Sequence, residues 1–335
     1  MIGRNQGHPA PPALKSARSG YIAPWVNPSW IAMLDFQVLR GLLERYGEAF
    51  NLPVRGFDIG GRPFDFNRRR ALMGVINLSP DSWYTESICA SSEAALRRGL
   101  ALAAAGAEMV DIGAESTLPD AARVPPEAQV EALLPVVGPL SERGVLVSVE
   151  SYYPQVLEAA GQAGARVFNL TGMAEEREVL KLAKHFEATV IFCYVQGDSP
   201  RDVGSFSFAE DMIGELLDFF GERTALAQKM GVARCILDPG LGFYYHNLSD
   251  GGLRVHHQIS TFLHTSRLNR LGYPTMNILP HAPEIFGEDQ RRAAEPFFAV
   301  LALLAGTHVI RTHELEAVAR IREVMAAYGP VPPGH

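Results

Sequence analysis

The sequence predicts an α/β chain folded as a (β/α)₈ TIM barrel. Three observations lead there. From Leu72 onward, Ala- and Leu-rich stretches of helical spacing end at a glycine, and a short apolar run closing on a polar residue follows. Such runs number eight over ~250 residues, the usual size of a barrel of this kind. The first strand-to-helix turn has no GxGxxG, which speaks against the rival open doubly wound sheet.

In chain order, residues 1–28 carry Pro, Gly, Ser and basic residues without periodicity and read as an arm or strap. Residues 28–46 have apolar positions at helical spacing, with Ser29 as a candidate N-cap. Phe57 to Phe64 reads as a hairpin turning at Gly60-Gly61, placed to plug the barrel. These parts make residues 1–70 an N-terminal extension and 71–329 the barrel. The first barrel strand is Leu72–Asn77, stopped by Ser79-Pro80-Asp81. The next runs end at Ile112, Glu150, Asn169, Cys193, Asp238, Leu279 and His313. Glycine before most of them suits the left-handed position after a helix, and unbroken apolar runs suit strands covered on both faces.

Composition narrows the class. The chain has 335 residues, 47% hydrophobic and 20% charged, ample for a buried core. A net charge of −7 argues against general binding to nucleic acid or anionic membranes. No apolar run approaches the ~20 residues that span a bilayer. Arg4 and Lys15 precede no apolar segment, so the opening does not read as a signal peptide. Cys89, Cys193 and Cys235 are widely spaced and form no CxxC, as expected of core residues in a cytoplasmic protein.

In a barrel, function gathers at the C-terminal strand ends. Those ends supply Asn77, Glu115-Ser116-Thr117, Glu150, Asn169, Tyr194 with Gln196, Asp238, His281, and Arg311 with His313. So polar a rim is expected to line a pocket for a small-molecule substrate. Trp83 in the first loop and His246 beyond Asp238-Pro-Gly are further substrate-facing candidates. Asp111, inside its strand, reads as a satisfied structural carboxylate, and His256, His257 and His264 as helix residues away from the chemistry.

Ile76-Asn-Leu-Ser-Pro-Asp-Ser82, Asp111-Ile-Gly-Ala-Glu-Ser-Thr117, Phe168-Asn169, Leu237-Asp-Pro-Gly-Leu-Gly-Phe243 and Ile310-Arg-Thr-His313 resemble the motifs of dihydropteroate synthase, in order. The resemblance spans about Leu72 to Gly329. It implies a barrel that binds a pterin pyrophosphate and couples it to p-aminobenzoate with Mg²⁺. By that resemblance Asn77 matches a Mg²⁺-binding Asn, and Asn169, Asp238 and Arg311 match pterin-pocket positions. His313 matches a His near the pyrophosphate. It also implies a homodimer, for which the Ala- and Leu-rich residues 290–305 are the candidate face.

The sequence departs from that pattern. Leu118 stands where the synthases carry a loop Arg, Glu150 where they carry Asp, Leu170 where an Asp follows the Asn, and Tyr194-Val195 where they have His-Met. Leu279-Pro-His-Ala-Pro-Glu284 replaces a Ser-Arg-Lys whose Lys contacts the pterin. Together with the gain of His281, these departures lead to an expectation of changed chemistry: a divalent-metal-assisted hydrolase of an activated acyl group, such as an acyl thioester in a natural-product pathway. The metal, Zn, Mn, Fe or Mg, would be held by Asn77, Glu150, Asp238, His281 and His313. Glu150 and Asp238 would be catalytic, Tyr194 or Arg311 would steady the oxyanion, and Asn77, Asn169, Glu115, Thr117, Trp83 and His246 would bind substrate. The alternatives are a pterin- or folate-dependent transferase, a true synthase included, and a non-catalytic pterin-binding relative.

Overall fold

The computed structural model describes residues 34–79, 88–89, 91–116, 121–172, 175–196, 206–207, 211–243, 251–287 and 290–328. Helix α1 (Phe36–Phe50) begins the described chain. Its cap is Asp35, whose carboxylate accepts the backbone N–H of Gln37 and Val38; the expected cap, Ser29, lies outside the described residues. A carboxylate at Ncap satisfies two of the N–H groups left over in the first turn and meets the positive end of the helix dipole. The hairpin β1 (Phe57–Ile59) and β2 (Arg62–Phe64) follows, with Gly60 and Gly61 at φ +56° and +79°, the turn for which glycine is suited.

Eight strands then alternate with helices: β3 (Ala71–Asn77), α2 (Ser92–Ala104), β4 (Met109–Gly113), α3 (Pro126–Glu142), β5 (Val147–Glu150), α4 (Pro154–Gln162), β6 (Val167–Leu170), α5 (Glu176–His185), β7 (Thr189–Cys193), α6 (Met212–Met230) and β8 (Cys235–Asp238). Helix α7 (Gly251–His264) runs into a 3₁₀ turn (Thr265–Leu271), then come β9 (Met276–Ile278), α8 (Pro283–Phe286), α9 (Arg291–Leu304), β10 (Val309–Thr312) and α10 (Leu315–Ala327). The strands pair in parallel in the order β8-β7-β6-β5-β4-β3-β10-β9. A bridge between Leu237 and Thr275 joins the two ends, with the Leu237 N–H donating to the Pro274 carbonyl at 2.9 Å. The barrel predicted from the sequence is therefore the observed fold.

Strand parity divides the interior. Outward residues such as Leu72, Ile76, Val110, Val149, Phe168 and Phe192 pack under the helices. Inward residues at the strand starts (Met73, Met109, Val167, Ile191, Ile236, Met276 and Val309) form a second cluster with Ile59 and Phe66. Ile59 and Phe66 are fully buried, so the hairpin and the chain after it seal the bottom of the barrel. The apolar plug leaves the opposite end of the same strands free to carry polar groups. Among the described residues no helix is long and apolar enough to cross a membrane. All three cysteines are buried, and no disulfide joins them.

Candidate active site

Register brings the strand ends into one layer. Asn77 lies beside Gly113, Gly113 beside Glu150, Glu150 beside Asn169, and Cys193 beside Asp238. One layer lower, Asp111 lies beside Ser148. Asn77, Glu150, Asn169, Cys193 and Asp238, with Arg311, Ile278 and the segment 279–281, surround a cleft of about 1030 Å³, its open mouth included.

The floor of the cleft is a buried ionic network. Asp111, fully buried, accepts from Arg311 Nε at 2.8 Å, Asn169 Nδ2 at 3.0 Å and Ser148 Oγ at 2.5 Å. Arg311 Nη2 donates to Glu150 at 2.5 Å. Asp238 accepts the Gly240 backbone N–H at 2.8 Å. Burial pushes the Glu150 carboxyl up to about 7; Arg311 opposes that shift, and Asp111 and Asp238 add to it. Burial likewise raises Asp238 to about 6, against the Gly240 N–H and Arg311. For Arg311 burial disfavours the charge, but Glu150 and Asp111 outweigh it and hold the guanidinium protonated. Three acids thus share one guanidinium, leaving excess acceptor capacity in a dry site. Asn169 Oδ1 is buried with no hydrogen-bond partner among the described residues.

The walls are set by shorter-range features. Gly240 sits at φ +76°, and a Cβ there would lie 2.0 Å from the Tyr194 carbonyl, so the turn that presents Asp238 admits no side chain. Glu115 is held at the edge by Gln129 Nε2 at 3.0 Å and the Tyr152 hydroxyl at 3.1 Å. Helix α7 contributes Arg254 and Gln258, both buried, to the cleft. Tyr194 does not face it: its hydroxyl donates to Glu215 of α6 and its ring packs on Phe219. The inward residue of that strand end is Cys193, because a shift of one position reverses the face. Thr117, Trp83 and His246 lie outside the described residues.

At the mouth, His281 and His313 stand with ring centroids 4.9 Å apart. Helix α9 turns Glu295, fully buried, toward them, with Oε1 at 2.9 Å from His313 Nδ1 and 3.5 Å from His281 Nδ1. Among the described residues this trio is the group of His, Cys, Asp and Glu whose ligand atoms gather closely enough for a metal ion. Glu150 and Asp238, expected to complete a metal set, are not in it; Glu150 is engaged with Arg311 instead.

A family model for pterin-binding enzymes matches residues 73–313, the whole run of barrel strands. The chain belongs to the pterin-binding enzyme family. Dihydropteroate synthase of Synechocystis is 29% identical over 296 residues, which is 85% of this chain and 98% of that protein. Dihydropteroate synthase of Xanthomonas albilineans, solved with 4-aminobenzoic acid, superposes with a TM-score of 0.70 at 29% identity, covering 83% of this chain and all of that one (100%). The same protein in complex with 7,8-dihydropteroate gives 0.66 at 27% identity, over 83% and 99% of the two chains.

These findings overturn the expectation of an acyl-thioester hydrolase: the pterin-binding relatives matched along nearly their whole length are synthases. The physical reason is in the cleft. Of the departures, His281 alters the mouth and Glu150 stays paired with Arg311, while Asn169 and Arg311 remain interlocked through Asp111 on the floor with Asp238 lining the same cleft. Glu295, Arg254 and Gln258 escaped the sequence reading. Glu295 had a usable signal: Ala294, Phe298, Ala299 and Ala302 are buried on one face of α9, and an acid on that stripe requires a partner.

Proposed function

We propose that this chain is a pterin-binding transferase of the dihydropteroate synthase type, joining an aryl amine to the methylene carbon of a pterin diphosphate. The observation that carries the reading is the floor of the cleft. The Asn169 Oδ1 acceptor and the Asp238 and Glu150 carboxylates converge where Arg311 is pinned by Asp111. A pterin ring edge, with its amino and ring N–H donors beside a carbonyl acceptor, complements that set, and a neutral donor-rich ring relieves the crowded acids without adding charge. The relatives solved with 4-aminobenzoic acid and with 7,8-dihydropteroate support both halves of the substrate pair.

In the transfer, the amine nitrogen forms the new C–N bond, the C–O bond to diphosphate breaks with its electron pair leaving on oxygen, and the amine gives up a proton. Asn77, an oxygen donor at the rim, suits the hard Mg²⁺ that accompanies a diphosphate and neutralises its charge. The residues here orient the ring and exclude water from it. This member lacks the lysine expected after β9, and His281 lines that wall instead. We place that divergence in how the rim holds the substrate and not in the bond formed. A homodimer is part of the proposal, since Phe297 and Leu304 on α9 and Val324 on α10 leave apolar surface exposed.

The test is incubation with 6-hydroxymethyl-7,8-dihydropterin diphosphate, 4-aminobenzoate and Mg²⁺, with chromatography for 7,8-dihydropteroate. Product formation that is lost in Asp238→Asn supports the reading. No product, and no binding of the pterin substrate, sinks it.

A further inference from the structure

The geometry points to a divalent transition-metal site formed by His281, Glu295 and His313, beside the substrate cleft and separate from any Mg²⁺ that travels with a diphosphate. The ligand atoms are Nδ1 of each histidine and Oε1 of Glu295. This site goes beyond the transferase reading and does not depend on it.

The Glu295 carboxylate is oriented before any ion arrives. Its Oε2 accepts the backbone N–H groups of His313 at 3.0 Å and Glu314 at 3.1 Å, and the Thr312 hydroxyl. Those donors lie at the start of α10, so one oxygen satisfies the end of that helix and the other is turned to the two imidazoles. Oε1 also lies 3.3 Å from the His313 backbone nitrogen. A proton can bridge Oε1 and His313 Nδ1 at 2.9 Å, but the 3.5 Å to His281 Nδ1 is long for a hydrogen bond.

Those spacings suit an ion. Ligands about 2.1 Å from a metal stand roughly 3.0 Å apart at a right angle and roughly 3.4 Å apart at a tetrahedral one. The two separations, 2.9 Å and 3.5 Å, fall close to these values, and the three residues each offer a ligand atom within 4.8 Å of the others. Two imidazoles and one carboxylate favour Zn²⁺, Co²⁺ or Fe²⁺ over Mg²⁺ or Ca²⁺. Glu295 is sealed inside α9, whereas His281 and His313 line the cleft. An ion held here keeps its remaining positions toward the cleft, where an anionic group of a bound substrate can take one. His281 and Glu295 come from different elements, the loop after β9 and α9.

The test uses the full-length chain stripped with EDTA and titrated with Zn²⁺ against a chromophoric chelator, with Co²⁺ absorption as a report on ligand geometry. One Zn²⁺ per chain is expected. His281→Ala and Glu295→Gln should each weaken it by more than the about 10–100-fold typical of losing an outer-shell partner. Exposed His256, on α7 and outside the trio, serves as control, and His256→Ala should bind as the wild type does. Circular dichroism establishes that each variant is folded; if Glu295→Gln is not, His281→Ala decides. Absence of stoichiometric Zn²⁺ binding by the wild type, or undiminished binding by His281→Ala, overturns the site. Titrating the same samples with a pterin keeps the two readings apart: ion without pterin rejects the transferase alone, and pterin without ion rejects the metal site alone.

Discussion

Replacing Asp111 by Asn removes the charge on which the floor of the cleft is assembled. Asp111 accepts from Arg311, Asn169 and Ser148 at once, and it is fully buried. Breaking a buried charge pair from one side costs about 3–5 kcal/mol, because the other charge is left without compensation. Arg311 keeps Glu150 at 2.5 Å, which places the expected loss at the lower end, about 3 kcal/mol. The introduced amide keeps one acceptor oxygen of the two, so the donors that met the other oxygen face an NH₂ instead. Glu150 should also become more acidic, since the Asp111 charge contributes to raising it. Urea unfolding followed by far-UV circular dichroism reads the first effect. Pterin binding reads the second consequence, an affinity at least tenfold weaker once Arg311 and Asn169 lose their anchor. A stability change within the roughly 0.5 kcal/mol of a surface substitution, with pterin affinity intact, would refute the reasoning.

Four further outcomes are expected. Tyr194→Phe removes the hydroxyl bound to Glu215 on the outer side of β7, so it should cost about 1–3 kcal/mol of stability in urea unfolding and leave pterin affinity unchanged. Gly240→Ala forces a Cβ against the Tyr194 carbonyl, so calorimetry should show a lower Tm and binding assays a displaced Asp238 cradle. Glu150 and Asp238 hold their protons to about pH 7 and 6 when folded, above their ordinary values of 4.5 and 3.8. Between about pH 4 and 7 the unfolded chain therefore binds fewer protons, and their contribution to stability should fall as pH rises. Pterin affinity should rise through pH 6–7 as the same carboxyls become pure acceptors, which fluorescence titration across that range would follow.

The barrel was legible because strands covered on both faces leave unbroken apolar runs, and each run here ends at a polar rim residue or is followed by one within three positions. Parity at the strand ends was less legible. Cys193 and Tyr194 are adjacent, and only the register of β7 decides which one enters the cleft. Asp111 read as structural from its place inside β4; in the folded chain it also holds Arg311 and Asn169 in the cleft. Glu295 lay hidden in a helix whose composition draws attention to its apolar face. The reaction was misjudged because loss of rim contacts was read as a change of chemistry. The departure at His281 lies at the mouth, whereas the floor that a pterin ring would meet in the proposed reading, Asp111 with Arg311, Asn169 and Glu150, is interlocked.

The central claim is that Asn169 and Asp238 present acceptors to a pterin ring over the network of Asp111 and Arg311. Equilibrium titration of the purified chain with a pterin, followed by the quenching of pterin fluorescence, tests it most directly. The account predicts saturable binding of one pterin per chain, weakened at least tenfold in Asn169→Leu and in Asp238→Asn. Absence of binding by the wild type, or equal affinity in the wild type and both variants, would contradict it.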